Sequence, residues 1–183
     1  MAPTATRGQE VRQRLLAAAA ELIPELGWSA VSTRILAQRA GVTPSVVHYH
    51  FASVQQVLSE AAVTAMRQVV EASDELFTSA TTPAAAVDAM LASVAQYDGT
   101  DPMSLLFIET YLAATRDERL RTQIATIVTD FSARVADWLA LHQVPEPAET
   151  AAVLAAAVDG LLLHRSLRPE SPDVTTVLRK LVT

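Results

Sequence analysis

The chain has 183 residues, enough to bury a sizeable core in one or two domains. Half of its residues are hydrophobic and 19% are charged, a balance that argues against disorder. Cysteine is absent, which excludes disulfides, thiolate metal sites and cysteine nucleophiles.

The longest purely apolar run, Ala151 to Val158, ends at Asp159 and is far too short to span a bilayer. No apolar leader with a cleavage site opens the chain, so a soluble, cytoplasmic protein with no membrane partner is expected. The net charge of −6 is unevenly spread. Residues 1–51 hold five Arg (Arg7, Arg12, Arg14, Arg34, Arg39) against three Glu (Glu10, Glu21, Glu25), a margin of +2 that leaves −8 to the remainder. A small DNA-facing head on an acidic body would divide its charge this way.

Residues 1–6 read as a short disordered tail. Arg7 beside them suits either a solvated position or, ahead of a DNA-binding head, a phosphate or minor-groove contact. Gln9 to Leu26 is a strong helix, with Val11, Leu15, Ala18, Ala19 and Leu22 recurring at three- and four-residue steps. Pro24 near its end distorts the last turn, and Gly27 closes it. Trp28 and Val31 in the connection read as apolar packing beneath the head.

The stretch from Ser32 to Phe51 predicts two short helices joined by a tight turn. Ser32 can cap the first, since its hydroxyl can accept an otherwise orphaned N–H of the first turn. Leu36, Ala37 and Ala40 give a small apolar face, and Gly41 supplies the left-handed residue that ends the helix. Thr43 as cap and Pro44 at the first position restart it. This is a helix-turn-helix, whose second helix enters a DNA major groove.

Ala37, then Ala40-Gly41-Val42, then Tyr49-His50-Phe51, preceded by an amphipathic helix, resemble the tetracycline-repressor (TetR) family of one-component transcriptional regulators. The motif covers roughly residues 8–58. The resemblance implies a double-stranded DNA operator as partner, met by Arg34, Thr43, Pro44, Ser45, Val46, His48, Tyr49 and His50. Arg34 would touch phosphate, with a base edge in reach; a solvated helix residue is the plain alternative. Thr43 and Ser45 offer hydroxyls where the second helix, opened by Pro44, begins. Val46 could meet a thymine methyl, while Val47 and Phe51 read as core. Tyr49 and His50 carry over as donors to phosphate oxygens. The chain departs from the family twice. His48 stands where an aromatic, commonly Tyr, is usual, and Val54 stands where the next helix usually opens with a Lys that grips phosphate. Gln55 and Gln56 are candidate neutral donors in its place.

That next helix runs from Ser53 to about Ser79, with Val57, Leu58, Ala61, Ala65, Val69 and Leu76 on its buried side. After a break at Thr81 to Pro83, an amphipathic helix spans Pro83 to Tyr97 and a turn spans Asp98 to Asp101. Pro102 starts a short helix capped by Asp101. Met103, Leu105, Leu106, Phe107, Ile108, Tyr111 and Leu112 surround it on nearly every face, so it is expected to be buried at the centre of the C-terminal body. Asp117 to His142 forms a long helix, Glu149 to Leu167 another, and after Pro169 and Pro172 a last helix is capped by Asp173. The fold expected is all-α. A three-helix helix-turn-helix DNA-binding domain spans residues 1–52, and a helical effector-binding (ligand-binding) and dimerisation domain spans 53–183.

By resemblance, the last two long helices pair with those of a second copy as a homodimer, the two-fold that a palindromic operator needs. The body is then expected to bind a small-molecule effector, lined by Met90, Val94, Tyr97, Met103, Phe107, Tyr111, Ile127 and Phe131. Each of these also reads as plain core. Few charges interrupt their faces, which suits a mainly apolar molecule oriented by one or two polar groups such as Tyr97, Tyr111 or His164. Arg165 reads as a solvated helix residue or a partner for a ligand carboxylate.

Catalysis has little support, and no enzyme activity, cofactor or metal is expected. His48 and His50 diverge by about 200° on their helix and do not make a metal pair. His142 and His164 stand alone, Glu109 and Asp130 have no visible partner, and no Gly-rich phosphate loop is present. The function expected is a ligand-responsive, dimeric transcriptional regulator, most simply a repressor. Its rival is a helical small-molecule-binding protein or enzyme without DNA function.

Overall fold

A computed structural model describes residues 4–167 and 172–183, with side chains from Arg7 onward. Among these residues there are nine α-helices and no strand, as the periodicity predicts. They divide into two compact units, residues 1–66 with 105–121, and 67–104 with 122–183.

In the first unit, α1 (Thr4–Leu26) starts five residues earlier than the Gln9 that the apolar periodicity marks, so it takes in part of the predicted tail. Leu15, Ala18, Ala19, Leu22 and Ile23 lie on its buried face. Pro24 is accommodated inside the helix, and Gly27, at φ 83°, turns the chain while its N–H still reaches the Ile23 carbonyl at 2.9 Å. A 3-10 turn (Trp28–Ala30) leads to α2 (Thr33–Arg39), capped by Ser32, whose Oγ accepts from the Ile35 N–H at 3.3 Å. Gly41 at φ 66° ends it in a Schellman closure: Val42 N–H donates to the Ala37 carbonyl at 2.9 Å and Gly41 N–H to the Gln38 carbonyl at 3.2 Å. α3 (Pro44–His50) follows, and after the extended Phe51 comes the 26-residue α4 (Val54–Ser79). Leu15, Ile23, Leu36, Val47, Val57 and Leu58 are fully buried. Each such aliphatic side chain is worth roughly 1.5–3 kcal/mol of transfer free energy.

The second unit takes α5 (Pro83–Val94), capped by Thr82 Oγ1 accepting from the Ala85 N–H. α5 stops at Val94 rather than Tyr97. The long helices α7 (Glu118–Leu141) and α8 (Pro147–Arg165) follow α6 (Pro102–Ala114) in the chain. Gln143, left-handed at φ 60°, closes α7 while Val144 N–H reaches back to the Leu139 carbonyl at 3.1 Å. The Pro169 break lies outside the described residues. α9 (Thr175–Arg179) begins where Asp173 Oδ1 accepts from the Thr175 N–H, and a 3-10 turn (Lys180–Val182) follows. The core of this unit is Phe77, Val87, Val135, Leu139, Leu154 and Leu178, with the rings of Phe131 and Trp138 edge-on to Phe77 at 6.1 and 5.7 Å. Arg179 forks onto both oxygens of Asp88 at 2.7 and 2.6 Å, pinning α9 to α5.

One expectation fails in α6. Its Leu105–Ala114 stretch belongs to the first unit, and the helix is not buried all round. Leu106, Thr110 and Ala114 form a buried stripe at four-residue steps, while Tyr111 and Leu112 are 40% and 48% exposed. An all-round apolar composition leaves the choice of buried face open, and here a single stripe is used. The Thr110 hydroxyl is satisfied within the helix by the Leu106 carbonyl at 2.6 Å.

Candidate nucleic-acid interface

The second helix of the motif is held by two apolar anchors. Val47 is fully buried, and Phe51 just beyond it is 2% exposed, its N–H donating to the Val47 carbonyl at 2.9 Å. The Arg12 guanidinium lies over the Phe51 ring at 4.8 Å and is ion-paired with Glu60 on α4. With one face of α3 locked, the rest points outward. Thr43, Pro44, Ser45, His48 and Tyr49 are exposed, and Val46 and His50 are half-buried. Tyr49 is 85% exposed and meets the His50 ring edge-on at 5.1 Å. The Thr43 hydroxyl does not cap α3 as expected: it lies 2.8 Å from the Ser45 hydroxyl instead. The two hydroxyls therefore form one polar edge beside Pro44.

The five head arginines have different fates. Arg39 is paired with Glu25 at 2.5 Å and Glu21 at 3.2 Å, and these two carboxylates, Glu25 foremost, make it hold its proton more tightly. Arg12 is occupied by Glu60 and Phe51. Arg14 donates to the Ala40 carbonyl at 3.4 Å, steadying the end of α2 while keeping its charge. Arg34 is exposed and, like Arg7, forms no ion pair among the described residues. The cationic charge left for an anionic partner thus sits on Arg7, Arg14 and Arg34.

At the start of α4, Ser53 Oγ accepts from the Gln56 N–H at 3.2 Å, and Gln56 Oε1 accepts from the Ala52 N–H at 3.0 Å. Gln55 Oε1 accepts from the Trp28 indole Nε1 at 2.7 Å. Indole and backbone N–H groups can only donate, so both carboxamide oxygens are committed inward and both NH2 groups remain as donors. Val54, just before them, is half-buried and offers nothing to an anion.

Trp28 is the residue whose role was least legible. It is half-buried rather than core, and besides its indole bond its backbone N–H donates to Glu109 Oε2 at 2.7 Å. Glu109, which lacks a visible partner in the sequence, therefore has one 81 positions away. No local spacing signals that bond.

Six of the eight candidate effector residues fall in the second unit, whereas Phe107 and Tyr111 fall in the first. Met90 and Phe131 pack against the second unit's core, and Val94 and Ile127 are buried. Tyr97 and Met103 are half-buried, as is Phe107, and Tyr111 is exposed. Tyr97 borders a cleft of about 460 Å³ with Ala95, Gln96, Asp98, Thr100, Arg165 and Ser166, a polar rather than apolar lining. Arg165 is half-buried and tied to the backbone rather than a freely solvated helix residue. Its Nη1 donates to the Val94 and Tyr97 carbonyls at 2.7 and 2.8 Å, capping the end of α5. Among the described residues no group of three or more His, Asp or Glu could hold a metal ion, and no helix is long and apolar enough to cross a membrane.

Comparison with known proteins agrees with this architecture. The family described as "Bacterial regulatory proteins, tetR family" matches residues 15–61, and "Tetracyclin repressor-like, C-terminal domain" matches residues 81–183. An HTH-type transcriptional regulator of Mycobacterium tuberculosis is 25% identical over 172 residues, 90% of this chain and 87% of the relative. The crystal structure of a transcriptional regulator from Streptomyces coelicolor is 30% identical, covers 94% of this chain and 96% of its own, and superposes with a TM-score of 0.74. GusR of Salmonella enterica, at 19% identity, shares the fold with a TM-score of 0.73, over 94% of this chain and 93% of its own. A family match over more than half of the chain, joined to an exposed second helix locked by Val47 and Phe51, leads to one conclusion: the protein belongs to the TetR family of transcriptional regulators and carries a helix-turn-helix DNA-binding domain.

Proposed function

We propose that the protein is a ligand-responsive repressor that binds a palindromic operator as a homodimer and is released by a mainly apolar small molecule. In this reading residues 1–52 act as the DNA-binding domain and residues 53–183 as the effector-binding and dimerisation domain. It works in the cytoplasm and is not an enzyme.

The observation that carries the reading is the outward set on α3: Thr43, Pro44, Ser45, His48 and Tyr49 exposed above the buried Val47. Hydroxyls and an imidazole can address base edges, and Tyr49 and His50 can donate to phosphate oxygens. Arg34 would supply the cationic phosphate contact. The Gln55 and Gln56 carboxamides would stand in for the Lys missing at Val54.

Dimerisation through α7 and α8 is supported by the exposed face of α8. Val153, Ala156, Gly160 and Leu163 recur at three- and four-residue steps. Val153 is 50% and Leu163 49% exposed, and a Cβ at Gly160 would meet no heavy atom within 4 Å. Such a stripe of small and apolar residues suits close approach of a second helix. Effector binding would favour a dimer whose two heads no longer match the operator spacing, lowering the population of the DNA-competent state.

Retention on an immobilised operator fragment tests the reading. Retention should weaken steeply with salt and belong to a dimer by light scattering. Absence of DNA affinity at low salt, or a monomer at micromolar concentration, would overturn it.

A further inference from the structure

We propose that Trp28 is a positioning residue that ties α6 to the DNA-reading helix, held at its backbone by Glu109 and at its indole by Gln55. The inference rests on the regulatory reading above and adds to it the link between α6 and the head.

The geometry starts at Gly27. Its positive φ ends α1 and presents the next N–H, that of Trp28, outward with no helical acceptor. Glu109 Oε2 takes that N–H at 2.7 Å, and its carboxylate lies 3.7–3.8 Å from where a Cβ on Gly27 would stand. A carboxylate accepting a backbone N–H is a charge-assisted bond, shorter and stronger than an amide pair. The same residue's indole then donates to Gln55 at 2.7 Å, in the first turn of α4.

Only Phe51, Ala52 and Ser53 separate the end of α3 from α4, and they are not slack. Phe51 is buried with its N–H on the Val47 carbonyl, Ala52 N–H is held by Gln56, and Ser53 caps α4. The pose of the first turn of α4 therefore sets the pose of α3. Two hydrogen bonds to one tryptophan connect Glu109 on α6 to that turn. Phe107 and Tyr111, two of the proposed effector residues, flank Glu109 on the same helix. A change in α6 would pull first on the Gly27–Trp28 peptide and, through the indole, on the recognition helix.

The test uses the full chain in a Trp138→Phe background, which leaves Trp28 as the single indole. Affinity is measured for an operator duplex recovered by selection and for an unrelated duplex, and Trp28 accessibility is measured by acrylamide quenching without DNA. Glu109→Ala should bind the operator about tenfold more weakly, with the unrelated duplex unchanged within twofold and quenching raised. Glu109→Gln, which keeps an acceptor oxygen, should restore operator affinity to within about threefold. The proposal is overturned if Glu109→Ala binds the operator like its parent, if Glu109→Gln falls as far as Glu109→Ala, or if both duplexes weaken alike. Should the parent bind no duplex at all, the regulatory reading fails on its own. The clamp is then judged by quenching, where an unchanged Glu109→Ala overturns it. If Glu109→Ala loses helical circular dichroism, the exposed Gln55→Ala decides by the same measurements: about threefold weaker operator binding, with the unrelated duplex unchanged within twofold and quenching raised, supports the clamp, whereas no change, or both duplexes weakening alike as loss of a Gln55 phosphate contact alone would cause, overturns it.

Discussion

Replacing Arg34 with Ala should flatten the salt dependence of operator binding, and replacing Arg39 should not. Both arginines lie on α2, five residues apart, and a count of charges treats them alike. The structure separates them. Arg39 is bound to Glu21 and Glu25 on α1, so its charge is already answered, whereas Arg34 is exposed without an ion pair among the described residues. Each phosphate neutralised by a cationic side chain contributes about 0.9 to the slope of log affinity against log salt, so losing Arg34 from both heads of a dimer should reduce the slope by about 1.8. Over a fourfold rise in salt, from about 50 to 200 mM, the parent should then lose about twelvefold more affinity than the variant. Fluorescence anisotropy of a labelled operator across a salt series measures both slopes. Arg39→Ala should keep the parent slope while lowering the melting temperature slightly, because it unties α2 from α1. An unchanged slope for Arg34→Ala, or a change in preferred sequence instead of a uniform weakening, would refute the phosphate assignment.

Three other perturbations have definite outcomes. Val54→Lys restores a cation at the first position of α4, and it should raise operator affinity at low salt and steepen the slope by about 0.9 per head in the same anisotropy series. Val47→Ala removes two methyl groups from a fully buried site, and it should cost about 2–3 kcal/mol, or roughly 5–10 °C of Tm for a chain of this size in calorimetry. Asp88 is held below the usual carboxylate range chiefly by its hydrogen bond to Arg179. A depressed carboxyl stabilises the fold above its unfolded value of about 4 and loses that contribution as pH falls through its native value. Asp88→Asn should therefore melt lower than the parent at pH 7, and the difference should shrink as acid titration goes below pH 4.

Local signals carried most of the head. The Ser32 cap, the left-handed Gly41 and Pro44 at the first position of α3 each act within four residues, and Val47 and Phe51 sit at the spacing that buries them. What escaped a reading of the chain was non-local or underdetermined. The pairing of Arg39 with Glu21 and Glu25 needs the packing of α2 on α1, and the Trp28–Glu109 bond needs α6 beside the end of α1. α6 is apolar on nearly every side, so its sequence left open that its Leu105–Ala114 stretch buries only the Leu106–Thr110–Ala114 stripe. Thr43 could cap or pair with Ser45, a choice between two hydrogen bonds of similar strength. Arg165 looked like a solvated helix residue because its acceptors, the Val94 and Tyr97 carbonyls, lie about 70 residues away.

Selection of bound sequences from a pool of random duplexes tests the central claim most directly. A dimeric regulator reading DNA through α3 should return a palindrome whose half-sites lie about one helical turn, or a multiple of it, apart. No enrichment, or a single unrepeated half-site, would contradict the account.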